Sequence, residues 1–500
     1  MIRRPSTHDY RTIAHYTGKV MIGIAILFSL PLATALVFQE WNTALDFANS
    51  LCIALLVGMG LSLIPPRARS FTWLHGMVVA SLSWMLATVL GALPYYFSGH
   101  YRSFLDAAFD VMSGYTTTGL ILIQDLDHVA NGLNMWRHVL TYVGGQGMVV
   151  LALTFLVKEA GGGVKMYIGE AKDERLLPSV VHTARAIWWI SLVYLAVGTM
   201  AHWVAGLLIG LKPIPAFLHG LWVYMAGWST GGFAPSSMNV MYYHSTLYET
   251  VTALFFVLGS FNFALHWAVW NGKRREVYRN IENLSLTATL TLTFTLAAVG
   301  LIKAGVYTEP LAVFRRVFYM IISGHTTTGF QNLYARQLLL EWGPLPITAI
   351  TIAMLIGASA CSTAGGFKGL RVGILVKAII QDTRRLLVPE SAVVVEKFHH
   401  IRDVVLEDRH VRGAALVVVS YVALFGIGVV LTALSGASMP EAAFETASVT
   451  GNVGLSIGVT NPQMPAYLKL WYIVSMWIAR LEFFSVYALI GFIFAGVRRK

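Results

Sequence analysis

A phrase of about a dozen residues returns four times along this chain: an aromatic residue, a run of small residues, two or three hydroxyl-bearing or small residues, then glycine and a bulky apolar residue. The copies read FDVMSGYTTTGL from Phe109 to Leu120, WVYMAGWSTGGF from Trp222 to Phe233, YMIISGHTTTGF from Tyr319 to Phe330 and FETASVTGNVGL from Phe444 to Leu455. Ten positions before each of Gly119, Gly232, Gly329 and Gly454 stands an aromatic residue, so the register holds across the whole phrase. Such a chain is built from one structural unit used four times.

The surroundings of the phrase say where the unit sits. Hydrophobic residues make up 56% of the chain and charged ones 12%, the latter about half the globular share. Apolar stretches run at about 18–39, 47–65, 71–97, 133–157, 185–210, 245–271, 284–304, 341–380, 413–435 and 467–497. Most are long enough to cross a hydrocarbon core of about 30 Å, for which roughly 20 residues suffice. The four phrases end apolar pieces that are too short for that and read as re-entrant half-helices.

The predicted fold is therefore an all-α integral membrane protein: two N-terminal transmembrane helices at 1–70, then four helix, re-entrant pore-loop, helix repeats at 71–157, 185–271, 284–380 and 413–497 in a pseudo-fourfold arrangement. The basic N-terminus leads into a span too long for a cleaved signal, so the first helix is expected to stay in place.

Charge sets the orientation. Alternating the loops puts 27 of the 36 Lys and Arg on the side holding both termini, which makes that side cytoplasmic under the positive-inside rule. The glycine loops then face outward, where Asp106, Asp110, Asp125 and Asp127 would raise the local cation concentration or serve as ordinary solvated loop residues. Arg315 and Arg316 in an outer segment run against the rule. Cytoplasmic connections at about 158–184 and 381–412 read either as docking surfaces for a separate protein or as plain linkers. The net charge of +11 marks loops on one side of a bilayer, not a nucleic-acid partner.

A half-helix ending at the phrase points the negative end of its dipole at whatever lies beyond, and rings of carbonyl oxygens can replace the hydration shell of a cation. Candidate ligands are Thr117, Thr118 and Gly119; Thr230, Gly231 and Gly232; Thr327, Thr328 and Gly329; and Asn452, Val453 and Gly454. The alternative is that Thr and Gly merely let helices approach; four copies in one register favour the ligand reading.

A second glycine-rich run, GASACSTAGGFKG from Gly357 to Gly369, interrupts the long stretch at 341–380. It reads as a gate beneath the loops, with Gly357, Ser359, Ser362, Thr363, Gly365, Gly366 and Lys368, or as a kink for tight packing. Arg480 sits in an apolar stretch, where a charge costs about 2.5–3.5 kcal/mol on insertion scales. It should face the pore as an electrostatic element or pair with Glu482 or a loop carbonyl. Asn262 and His266 share a helix face and should bond across helices. Cys52 and Cys361 suggest neither a disulfide framework nor a metal site. No phosphate loop and no HExxH motif is present, so no catalytic role and no organic cofactor is expected.

Taken together, SGYTTTGL, GWSTGGF, SGHTTTGF, GNVGL, WRHVLTYVGGQGMVVLAL, FNFALH, ASACSTAGGFKGLRV and IARLEFF make the chain resemble the Trk/Ktr/HKT potassium transporter superfamily, most closely its TrkH-type subunits, over most of its length. The resemblance implies a homodimer in an inner membrane, among membrane lipids, each protomer with its own potassium path. It implies a filter at the four glycines, a gating loop at 357–369, Arg480 at the pore and a cytoplasmic TrkA-type ring of nucleotide-binding regulatory subunits. In this superfamily serine at the first filter glycine goes with sodium, so Gly119 favours potassium. Three modes stay open: channel-like uptake driven by the membrane potential, symport with H+ or Na+, and service as the pore subunit of an ATP-driven pump.

Overall fold

A computed structural model describes residues 4–66, 71–147, 150, 180–307, 309–389 and 391–497. Residues 151–157, which end the first expected unit, and nearly all of the connection at 158–184 lie outside the described residues. Among the described residues six helices are long and apolar enough to cross a membrane: Thr7–Val37, Trp41–Ser62, Trp73–Phe97, His182–Leu208, Ile281–Lys303 and Asp408–Ala433. Between them lie short helices, Phe104–Tyr115, Pro213–Trp228, Tyr319–His325 and Met439–Thr450, each running into one of the recurring phrases. Their starts are written locally. Ser103 accepts the Asp106 N–H at 3.2 Å, Pro213 opens the second helix, and Ser438 with Glu441 forms a reciprocal cap.

The helix that follows each phrase is interrupted. Thr246–Gly259 and Phe263–Trp270 meet at 97°, and Ala466–Arg480 and Phe484–Val497 at 112°. Pro344–Ile356 stops at Gly357 and resumes as Gly369–Leu386, and Asn131–Gln146 stops at Gly147, φ 103°. The apolar stretches at 245–271 and 467–497 read as continuous, because the polar residues at the breaks, Ser260 and Asn262 in one and Glu482 in the other, are flanked by long apolar runs. Asn262 caps the helix beyond its break by accepting the Ala264 N–H at 2.8 Å; Glu482 and Phe483 take left-handed backbone, φ 49° and 70°. Freed backbone groups in a membrane need protein partners, and two breaks supply each other: Ser359 N–H donates to Ser260 O at 3.3 Å and Phe263 N–H to Cys361 O at 3.4 Å.

Both chain ends lie on one face, since the Tyr10 ring meets Phe492 at 5.1 Å. On the opposite face buried ion pairs join the units. Lys469 donates to Asp106 at 2.5 Å, and Arg315 forks onto Glu249 at 2.6 and 3.0 Å while Arg316 donates to the Asn332 carbonyl. Arg315 and Arg316 sit in a single wide helical turn, Phe314–Phe318, and their apparent breach of the charge rule has a structural cause: both are engaged inside the protein. Glu249→Gln removes the charge from a two-pronged carboxylate contact, and the detergent-solubilised protein should lose about 1.5–3 kcal/mol, read as a lower Tm.

The connection at 381–412 carries a two-stranded antiparallel hairpin, Lys397–His400 with Arg402–Val405. His399 clasps it to the body, 2.8 Å from Glu276 and 2.7 Å from Asp403. Burial lowers the basicity of His399, but the bonds to Asp403 and Glu276 outweigh it and raise the pKa above 6.5; the same imidazole lowers that of Asp403 below 3.8. The raised imidazole stabilises fully below about 6.5, its unfolded value, and the gain is lost as pH rises through the folded value. The depressed carboxylate adds stability above about 3.9, its unfolded value, lost as pH falls. Limited proteolysis of the hairpin should therefore increase from pH 6 to pH 8.5, a step that His399→Gln abolishes.

Candidate functional site

All four short helices end four positions before a glycine of the recurring phrase, at Tyr115, Trp228, His325 and Thr450. All four endings are alike bond for bond. The N–H groups of Thr118, Gly231, Thr328 and Val453 donate back to the carbonyls of Ser113, Ala226, Ser323 and Ser448, each at 2.8 Å. Those of Thr117, Thr230, Thr327 and Asn452 donate to Gly114, Gly227, Gly324 and Val449 at 2.9–3.2 Å. This paired pattern is the Schellman ending, which needs a left-handed residue before the last donor. Thr117, Thr230, Thr327 and Asn452 supply it, with φ of 57°, 52°, 55° and 52°. Threonine is β-branched and strained there, so the conformation at three of these positions is imposed by the surroundings.

The four loops close a ring. A Cβ placed on Gly119 would fall within 3.0 Å of the Gly231 carbonyl oxygen, one on Gly232 of Thr328, one on Gly329 of Val453 and one on Gly454 of Thr118. Each unit touches the next, and the fourth returns to the first. These glycines are required twice over, by contact and by positive φ of 85°, 60°, 83° and 95°. The carbonyls of Thr118, Gly231, Thr328 and Val453 are buried and accept no hydrogen bond among the described residues. Buried backbone carbonyls are normally paired, so four orphans on one ring, at the negative ends of four helices, form a ready acceptor cage for a cation.

Directly against the cage lies the interruption from Gly357 to Lys368. The Thr327 hydroxyl accepts the Gly365 N–H at 2.7 Å, the Thr230 hydroxyl donates to that of Thr363 at 3.2 Å, and Gly365 packs on the Gly451 carbonyl. Gly357 and Gly366 are left-handed, φ 71° and 75°, and pack on each other. Ser362 bonds back to Ser359 O at 2.7 Å, and Lys368 donates to Ala364 O while standing 3.9 Å from Glu482. Arg480 clamps the segment, donating to Thr363 O at 2.6 Å and to Gly144 O at 2.7 Å. Of the partners considered for Arg480, the structure shows the loop carbonyl; Glu482 is taken by Arg371 and Lys368. The residue closes the helix Ala466–Arg480, at the break of the bent pair.

Two supporting roles escaped the sequence reading, which placed Asp110 among the outer-loop acids and passed over Glu445. Asp110 and Glu445 occupy the same position in the first and fourth phrases, one residue after the aromatic, and both are buried. Asp110 accepts the Leu122 N–H at 2.7 Å and the Tyr101 hydroxyl at 2.9 Å; Glu445 accepts the Ile457 N–H at 3.2 Å and the Ser456 hydroxyl at 2.8 Å. Each holds the strand leaving its glycine loop. The signal was available, as an acid inside an apolar helix at a repeated position. Asp106 and Asp110 are thus internal, which leaves Asp125 and Asp127 as the exposed acids of that loop. His266 and Asn262 do bond across elements, His266 to Leu258 O at 2.9 Å and Asn262 to Glu282 at 3.4 Å. GWSTG, Gly227 to Gly231, has the spacing of a hydrolase nucleophile turn, yet Ser229 closes a helix and donates to Ala226 O at 3.2 Å, where a nucleophile turn would lead a strand into a helix. Among the described residues no cluster of three His, Cys, Asp or Glu could hold a metal.

A multi-span helical membrane protein with a carbonyl-lined ring belongs to the class of cation-transport proteins, not enzymes. Residues 46–493 match the TrkH cation transport protein family, and the chain belongs to it, as its motifs led one to expect. It is 28% identical to an uncharacterized cation transporter of Methanocaldococcus jannaschii, covering 98% of this chain and 97% of that one. It is 26% identical to the Trk system potassium uptake protein TrkH of Halomonas elongata, over 96% and 98%. The crystal structure of the potassium transporter TrkH from Vibrio parahaemolyticus superposes with a TM-score of 0.81 at 24% identity, covering 96% of this chain and 98% of that one, and shares the fold.

Thr327→Val deletes the acceptor for Gly365 and leaves a buried N–H unpaired, a loss of about 1–3 kcal/mol. Amide exchange at residues 357–368 should quicken by about tenfold or more, one decade being about 1.4 kcal/mol, while exchange in Thr7–Leu27 stays unchanged.

Proposed function

We propose that this chain takes up K+ across a cytoplasmic membrane through the ring of glycine loops, channel-like and driven by the membrane potential. The observation that carries the reading is the closed set of four orphan carbonyls, those of Thr118, Gly231, Thr328 and Val453, at four helix C-termini. Such oxygens replace hydration water for a monovalent cation without a fixed counter-charge. A potential of 100 mV then supplies about 2.3 kcal/mol per charge. The names of the relatives, which include Trk system potassium uptake proteins, support K+ as the cargo.

In this reading the segment 357–369 gates the path. Thr230 and Thr327 link ring to gate, and Arg480 places its charge beside the gate carbonyl, discouraging a cation from resting below the ring. Basic residues concentrated on the face of the termini favour a cytoplasmic location for that face, a docking place for a TrkA-type regulatory ring. The assembly is a homodimer with one path per protomer.

Tracer rubidium uptake into a K+-uptake-deficient host tests the central step. Gly232→Asp and Gly329→Ala should each reduce uptake by at least about tenfold, since a Cβ at either position meets a neighbouring carbonyl and a left-handed non-glycine costs about 1–2 kcal/mol. Membrane yield should stay at the wild-type level. Undiminished uptake in both variants would reject the ring as the path.

A further inference from the structure

On the face that carries the termini lies a cavity of about 920 Å3, apart from the ring and within the range of about 300–1,000 Å3 typical of small-molecule sites. Three elements wall it. Ala264, Trp267 and Ala268 line one stripe of the helix Phe263–Trp270, Leu370 and Ile374 one stripe of the helix Gly369–Leu386, and Phe398 with Val404 the hairpin. These walls are apolar; Asn271, His410 and His400, the last 4.0 Å from Glu282, also line the cavity. The rim is cationic: Lys273 and Arg402 are both exposed, and among the described residues neither makes an ion pair and no carboxylate lines the cavity.

An apolar slot with a cationic mouth, placed where membrane helices end, suits a molecule with an anionic head and an apolar tail. A soluble nucleotide or phosphate would leave the Trp267, Leu370 and Phe398 walls uncovered; a neutral lipid would leave both cations unmatched. Basic pockets at helix ends are where acidic lipid headgroups bind, and long cationic side chains reach to that level. We propose that this cavity is a binding site for an anionic phospholipid of the adjoining leaflet, its phosphate held by Lys273 and Arg402 and one acyl chain lying along Trp267 and Ile374.

The site also has a mechanical connection. Both helical walls spring from interruptions that bond each other, Phe263 N–H to Cys361 O at 3.4 Å and Ser359 N–H to Ser260 O at 3.3 Å. A lipid wedged between the walls favours one spacing of the two helices and thereby one setting of the 357–368 segment. This second part rests on the gating role assigned above; lipid binding does not, and its measurement involves no ion flux.

Native mass spectrometry of the full chain in detergent, titrated with phosphatidylglycerol or phosphatidylcholine, reads binding directly. The wild type should retain phosphatidylglycerol in preference. Lys273→Gln with Arg402→Gln should weaken that binding at least fivefold, and Ala268→Trp, which fills the slot and leaves both cations in place, should weaken it as well, each with an unchanged melting temperature. Equal phosphatidylglycerol binding by the wild type and both variants would overturn the site, and so would displacement of the lipid by millimolar ATP in the wild type alone, which would mark a nucleotide pocket. In proteoliposomes, flux through the wild type should rise with the phosphatidylglycerol fraction and flux through the double variant should not; a lipid-independent flux with binding intact would refute the coupling and leave the site standing.

Discussion

Backbone that leaves regular helix inside a membrane must find partners within the protein, and this requirement organises the molecule. The chain breaks helix at four glycine loops and again in each helix that follows. Several freed groups are answered from a neighbouring break: Gly365 N–H by Thr327, the Thr363 and Gly144 carbonyls by Arg480, Ser260 O by Ser359 N–H. The carbonyls of Thr118, Gly231, Thr328 and Val453 accept no such bond among the described residues. Four like groups left open at four matching helix ends are what the proposed cation path rests on.

The charges serve the same end. Asp110 and Glu445 are held by backbone N–H groups of the strands they steady, and Lys469 with Asp106 joins the last unit to the first across the ring. Glu482 takes up Arg371 and Lys368 at one end of the 357–368 segment while Arg480, two residues earlier, grips its middle. Removing a buried member of such a set costs about 3–5 kcal/mol, because its partner is left charged and dry. The polar interior therefore fixes the relative placement of the units, which apolar contacts in a lipid environment do only loosely.

The fourfold phrase made four matching helix ends legible from residues alone, since one glycine-bearing phrase in constant register marks a repeated unit. Apolar runs showed the membrane helices but not their breaks at Ser260 to Asn262 and Leu481 to Phe483; a lone glycine, Gly259, precedes the first, and neither glycine nor proline marks the second. Side-chain partners were the least legible: for Arg480 the sequence offered Glu482 or a loop carbonyl and the structure shows loop carbonyls, and Arg315 read as a topological exception until Glu249, 66 positions away in sequence, was seen beside it. Pairings of that range depend on tertiary folding, which local pattern does not encode.

One polypeptide furnishes all four quarters of the ring, and the quarters are not identical: Thr, Gly, Thr and Val carry the inward oxygens. In a cage assembled from four copies of a subunit, any substitution strikes every side at once. Here a single codon alters one side only, so, with the ring as the proposed path, lineages can adjust the fit to competing ions in small, independent steps and keep three walls constant while the remaining one drifts.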